Sequence, residues 1–184
     1  DGHGAPQWIP YATVASVDDA CARATELGGT VHLPPTGLPN GDRFALLADP
    51  QGALVHVIAL AEEPPETSGA LPQGTFCWHE LVTTDPAAAK AFYASLFGWS
   101  HAEMPVGERP YHLFRRGDRD AAGMMQRPAD VKSPPAWLVY MFTSDIAASV
   151  AKVVELGGAV HVAPYHVPGV GEFAVATDPM GAAF

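Results

Sequence analysis

One unit of this chain occurs twice at a fixed offset. Trp8-Ile9-Pro10-Tyr11 returns as Trp137-Leu138-Val139-Tyr140, and Leu27-Gly28-Gly29-Thr30-Val31-His32 returns as Leu156-Gly157-Gly158-Ala159-Val160-His161. Asp49-Pro50-Gln51-Gly52-Ala53 returns as Asp178-Pro179-Met180-Gly181-Ala182, and all three blocks keep one spacing of 129 residues without a gap. A constant spacing over such a length means one supersecondary unit used twice, so the repeat constrains the fold before any single element does.

Within each copy the pattern reads strand, helix, three strands. Apolar runs rich in aromatic and branched residues, Trp8 to Ala15 and Trp137 to Thr143, open the copies as strands. Ser16 or Asp18 in the first copy and Ser144-Asp145 in the second are helix N-caps. Val17, Cys21, Ala24 and Leu27 then recur at helical spacing, as do Ile146, Val150, Val153 and Val154. Gly28 and Gly157 stand where a left-handed residue closes a helix. Short strands follow at 30–33, 43–48 and 53–59, and at 159–163, 172–177 and 182 onward, with the Asp-Pro-x-Gly segments as turns between the last two.

A third, diverged unit lies between the copies. Residues 61–73 read as a linker by composition. Thr75 to Thr83 is a strand, and Asp85 followed by Pro86 opens a helix that ends at Gly98. Strands near 99–103, 110–116 and 121–126 complete the unit, with Gly117-Asp118 as a hairpin turn and Ser133-Pro134-Pro135 as the joint to the last copy.

Composition narrows the function classes. A formal charge of −10 argues against nucleic acid and anionic membrane as partners, since both require clustered Lys and Arg. No apolar run approaches the roughly 20 residues of a membrane span. The opening Asp1-Gly2-His3-Gly4 has no secretory-signal character, and Cys21 and Cys77 read as two free thiols, so a cytoplasmic protein is expected. No Gly-x-Ser-x-Gly, phosphate loop or motif-spaced Cys and His is present.

The strand ending in Thr83-Thr84-Asp85-Pro86, with the following helix through Phe92-Tyr93 to Phe97-Gly98-Trp99, resembles the opening of a vicinal oxygen chelate module. The Leu-Gly-Gly-x-Val-His and Asp-Pro-x-Gly-Ala segments are similar to that superfamily's second module. The superfamily holds glyoxalase I, bleomycin-resistance proteins, fosfomycin-resistance enzymes and extradiol dioxygenases. The resemblance is to two-domain bacterial glyoxalase-like proteins with four modules in series. It implies an α+β fold (α/β roll) of βαβββ modules, two of which pair into a half-barrel around one small-ligand pocket.

On that basis 5–60 is an orphan second-type module, 74–130 and 134–184 pair into one complete domain, a first module precedes, and the last strand continues past Phe184. The orphan's uncovered sheet edge implies either the missing segment or a homo-oligomer.

The same resemblance locates the metal-ligand positions of metal-using members. They fall on Trp78, Leu138 and Ile9 on the first strands, on His56 in the first copy, and near Gly123-Met124-Met125 in the middle unit. Of these only His56 is a donor suited to a divalent ion, so no metal and no cofactor are expected in the 74–184 domain. His79 and Glu80 point to opposite faces of a regular strand and cannot chelate one ion together.

Glu80, sharing a face with Trp78 and Val82, is the candidate catalytic residue as a general base, and Trp78, Glu80, Tyr111, Met124, Tyr140 and Phe142 are the candidate ligand-binding residues. His112, Tyr165 and His166 rim the same pocket, whereas His32 and His161, at equivalent places, suggest a repeated structural role.

Three functions are consistent with this reading. One is a metal-free apolar pocket for a small organic metabolite or antibiotic. Another is a glyoxalase-type lyase or isomerase using Glu80, with or without a metal. The third is an interaction protein with a vestigial pocket.

Overall fold

Ser16 and Asp145 set the starts of the two repeated helices in the computed structural model, which describes residues 5–62, 69–106 and 109–184. Ser16 Oγ accepts the Asp19 N–H at 3.2 Å and opens α1 (Val17–Glu26), and Asp145 Oδ1 accepts the Ala148 N–H at 2.9 Å and opens α3 (Ile146–Glu155). Each satisfies an N–H that the first helical turn leaves without a partner. Both helices stop at a leucine, and the next residue, Gly28 or Gly157, takes φ of 85° or 89°, a conformation strained for any L side chain. The diverged helix α2 (Pro86–Phe97) is capped by Asp85, carries Pro86 in its first turn, and ends at left-handed Gly98.

The strands follow as β1 (Tyr11–Thr13), β2 (Thr30–Gly37), β3 (Arg43–Ala48), β4 (Leu54–Ala59), β5 (Phe76–Thr83), β6 (Ser100–Val106), β7 (Arg109–Arg116), β8 (Arg119–Gln126), β9 (Ala136–Met141), β10 (Ala159–Val167) and β11 (Gly171–Thr177). The order is βαβββ twice and then βαββ, a mixed α+β arrangement with open sheets.

The first sheet has the order β1-β4-β3-β2, with β1 parallel to β4 and the other pairs antiparallel. A second has the order β6-β7-β8-β5-β9, with β5 parallel to β8, and β10 and β11 form an antiparallel pair. The repeat extends to its irregularities. The β2–β3 ladder shifts register between Val31 and Leu33 and between Leu33 and Thr36, and β10–β11 does so between Val160 and Val162 and between Val162 and Tyr165.

The strands expected at 30–33 and 159–163 extend to Gly37 and Val167, and two others are cut short. The opening strand read as Trp8 to Ala15 is confined to Tyr11–Thr13, because it ladders with β4 only from Tyr11↔His56 to Thr13↔Ile58. The strand expected from 182 onward is a single antiparallel bridge, Thr177↔Ala183, flanked by backbone bonds between Ala176 and Phe184. Residues 63–68 of the 61–73 linker and the opening four residues lie outside the described residues.

The chain divides into two compact units. One comprises Asp1–Trp8, Gly69–Trp78 and Leu138–Phe184, and the other Ile9–Ser68 and His79–Trp137. In the first, α3 lies on β10 and β11, and the backbone of Phe142 pairs with Gly74 and Thr75 at 2.9 and 2.8 Å.

In the second unit α1 and α2 pack together over one core. Val17, Ala20, Cys21 and Ala24 of α1 meet Ala89, Phe92 and Tyr93 of α2, with Leu47, Val55 and Val57 from one sheet and Leu81, Phe114 and Met124 from the other. Polar side chains at its margin tie α2 to the Asp49 turn. Gln51 Oε1 accepts the Asp85 N–H at 2.8 Å and the Thr84 hydroxyl at 3.1 Å, and its Nε2 donates to the Asp85 carbonyl at 3.1 Å. The Thr83 hydroxyl also donates to Gln51 Oε1. One side chain from the Asp49 turn thus holds the start of the α2 helix.

Candidate functional site

Alternation along β5 sorts the candidate residues by face. In the second unit Glu80 pairs with Gly123, Gly123 with Leu113, and Leu113 with Ala102, so these four form one row across the sheet. The next row on that face runs Val82, Met125, Tyr111 and Met104. Leu81, Met124 and His112 occupy the opposite face, which carries the core beneath α2.

Met124 is therefore not on the candidate face. It is fully buried among Leu81, Phe114 and Tyr93, and Met125 is the methionine that shares a face with Glu80. The β5–β8 register from Glu80 to Thr83 runs without a shift.

Glu80 is 7% exposed, one of few buried acids, and its neighbours across the two rows are aliphatic, thioether or phenolic. A carboxylate in that setting is a strong local charge.

Trp78, Tyr140 and Phe142 belong to the first unit. The Tyr140 ring meets Phe173 edge-on at 6.1 Å between centroids, and Phe173 meets Tyr165 at 4.0 Å. Phe142 contributes backbone bonds to Thr75 and Gly74, and Trp78 is half-buried on β5. The Tyr140–Phe173 pair is itself a repeat feature. Its counterparts in the first copy are Tyr11 and Phe44, which flank His56 at 4.3 Å (stacked) and 5.9 Å.

His56 is the one metal-type donor at the positions implied by the resemblance. Its Nδ1 is buried without a hydrogen-bond partner, and burial pushes the imidazole below the usual histidine range. Among the described residues no three His, Cys, Asp or Glu side chains converge. Trp78, Leu138 and Ile9 present only carbon or indole where a divalent ion needs oxygen or imidazole nitrogen. The described residues do not fit a metal of the kind the fold family uses.

The histidine next to Glu80 serves a different surface. His79 lines a cavity of about 980 Å³ in the second unit, with Trp137, Phe97 and Trp99 and with Arg23 and Arg119 at the polar side. Burial holds His79 below the ordinary histidine range. The expected site residues do not line this cavity, and the sequence carried no signal for it, because its walls come from β1, α1, α2 and the β7–β8 turn together.

His161 bonds the Thr177 hydroxyl at 3.1 Å. Cys21 and Cys77 are free, and burial raises both thiols above their ordinary range. No helix of the described residues is long and apolar enough to cross a membrane.

Comparison with known proteins agrees with this architecture. A family model described as a glyoxalase-like domain matches residues 78–184. CFP32 of Mycobacterium tuberculosis, which carries the provisional name of glyoxylase, is 34% identical over 182 residues, covering 97% of this chain and 68% of its own length. The anthracycline biosynthesis protein DnrV of Streptomyces peucetius is 32% identical over 186 residues, covering 100% of this chain and 66% of its own length.

Among solved structures, the Mn(II)-bound glyoxalase of Novosphingobium aromaticivorans superposes with a TM-score of 0.64 at 17% identity, covering 94% of this chain and 60% of that one. The 2,2',3-trihydroxybiphenyl 1,2-dioxygenase of Sphingomonas wittichii superposes at 0.63 with 12% identity, covering 98% and 70%. These two show the fold alone. The repeated modules, the diverged middle unit and the matched residues together place this chain in the glyoxalase-like domain family of the vicinal oxygen chelate superfamily.

Proposed function

We propose that this glyoxalase-like protein binds a small, planar organic molecule on an apolar sheet face without help from a metal. The observation that carries the reading is the pair of rows around Glu80. One buried carboxylate stands among Val82, Leu113, Tyr111 and Met125, with no second acid or histidine in either row. Such a face offers area to a flat apolar ligand and one charged acceptor to orient it, which is how small-molecule sites divide affinity from specificity. The similarity to DnrV, an anthracycline biosynthesis protein, supports the aromatic class of ligand, since an anthracycline is a fused polycycle.

The test is a titration of anthracyclinones and simpler hydroxyquinones against the protein, followed by tryptophan quenching and calorimetry. Saturable binding that survives exhaustive chelation, and weakens about tenfold or more in Glu80→Gln, is expected from loss of a charge-assisted hydrogen bond. Binding that vanishes on chelation and returns with Mn(II) would overturn it.

The burial of Glu80 also favours a second reading, a lyase or isomerase in which this carboxylate abstracts a proton beside a carbonyl. Solvent deuterium washing into a bound carbonyl ligand, and lost in Glu80→Gln, would select that reading over passive binding.

A further inference from the structure

The repeat supplies an internal comparison that bears on the surface of α3. Residues Val17, Ala20, Cys21 and Ala24 of α1 correspond by the common offset to Ile146, Ser149, Val150 and Val153 of α3. Cap, helix length, C-terminal glycine and the bulges of the following ladder agree between the copies.

Burial does not agree. The four α1 residues are 7% exposed or less, whereas no residue of α3 is buried. Val154, Leu156 and Met180 around it are 58%, 62% and 75% exposed. Helix α2 makes the difference, because it covers α1 with Phe92 and Tyr93.

The polar contacts divide in the same way. Asp49 Oδ1 accepts the N–H groups of Gln51 and Ala53 at 2.9 Å each, and Asp178 Oδ1 accepts those of Met180 and Ala182 at 2.8 and 2.9 Å. The second oxygen of Asp49 receives the Tyr93 hydroxyl at 3.1 Å, and Tyr93 oxygen receives Trp137 Nε1 at 3.1 Å. Asp178 shows no tyrosine partner among the described residues, and Trp8, the repeat counterpart of Trp137, is 37% exposed. A Cβ added to Gly29 would meet Phe92 at 3.0 Å, while the atoms nearest to one added to Gly158 are the Thr177 carbonyl oxygen and Val153.

We infer that the α3 face is the docking surface for a second helix of the α2 kind. This is the helix of a βαβββ module opened by Asp-Pro and carrying a Phe-Tyr pair, whose tyrosine reaches Asp178 as Tyr93 reaches Asp49. The occupant belongs to the same polypeptide outside these 184 residues. CFP32, of which this chain spans 68%, has room for one more module. A second copy of the chain is disfavoured as the source, because its own α2 is consumed in covering α1, with Phe92 and Tyr93 at 2% and 0% exposure. The inference is independent of the ligand proposed above.

The experiment is hydrogen–deuterium exchange on the complete gene product, with Val150→Asp and Cys21→Asp variants followed by thermal melting. Amides of α3 protected as strongly as those of α1, at every protein concentration, and a melting temperature lowered comparably by either substitution are expected. Fast exchange throughout α3 with a silent Val150→Asp would overturn the inference by showing the face uncovered. Protection of α3 that disappears on dilution, together with a mass shift from dimer to monomer, would overturn it by assigning the face to a second copy.

Discussion

Tyr93 donates its hydroxyl hydrogen to Asp49 across 44 positions of sequence, at 3.1 Å, and no water-exposed group intervenes in the pair: the residues are 0% and 3% exposed. Burial is the main force raising the Asp49 carboxyl above the usual carboxylate range, opposed by bonds from Ala53, Gln51 and Tyr93, and burial with the Asp49 charge lifts Tyr93 well above its own. The tyrosine is thus the donor throughout the working pH range. Tyr93→Phe keeps the ring in the core but leaves Asp49 Oδ2 and Trp137 Nε1 without their buried partner. A loss of about 1–3 kcal/mol in urea unfolding is expected. A change within error would show that the two groups find other partners.

Histidine burial gives the fold an acid-sensitive limb. His56 and His79 are both held below the ordinary histidine range by desolvation. An unfolded chain therefore binds more protons than the folded one between the depressed values and about 6.5, so stability rises with pH through that window and is lost as pH falls through it. Asp49 works with the opposite sign at lower pH, because its raised carboxyl is neutralised more readily in the folded state. Chemical denaturation between pH 7 and 5 should show the falling limb, and His56→Gln with His79→Gln should flatten it. An unchanged slope in the double variant would assign the limb to other groups.

The two neighbouring methionines should separate stability from binding. Met124→Ala opens a cavity in the core beneath α2, with an expected cost of about 2–5 kcal/mol in thermal or urea unfolding. Met125→Ala removes a side chain from the Glu80 face and should weaken the anthracyclinone titration while leaving unfolding within about 1 kcal/mol of the parent. Equal effects of the two on stability would mean that the β5–β8 register is displaced by one residue.

Close backbone approach sets the tolerance at Gly29. A Cβ there would sit 2.8 Å from the Ala48 carbonyl oxygen and 3.0 Å from the Ala24 carbonyl oxygen, neither the end of a flexible side chain. Gly29→Ala is expected to cost about 1–3 kcal/mol by forcing α1 off its sheet. A melting temperature equal to the parent would show that α1 slides without loss of packing.

Much of this architecture was legible in the sequence because local chemistry and the repeat agree. Ser16, Asp145, Asp85 with Pro86, Gly28, Gly157 and Gly98 each act within a few residues, and they gave the helices and their ends. The face shared by Trp78, Glu80 and Val82 followed from strand alternation alone.

What escaped depends on contacts between segments distant in sequence. Met124 and Met125 are alike in type, and only the Glu80↔Gly123 register decides which one joins Glu80. Trp8 and Trp137 hold equivalent places in the repeat, yet only Trp137 is buried, with Tyr93 to receive its indole N–H. The bond from Tyr93 to a turn read purely as a turn left no local trace.

The Asp-Pro-x-Gly-Ala turn divides the labour of one carboxylate between its two oxygens. Oδ1 keeps the bend folded in both copies, and in the first copy Oδ2 faces outward to a neighbour's tyrosine. A duplicated module built this way carries its own closure and a ready-made socket. It can exchange the module beside it, over evolutionary time, without relearning how to make the corner.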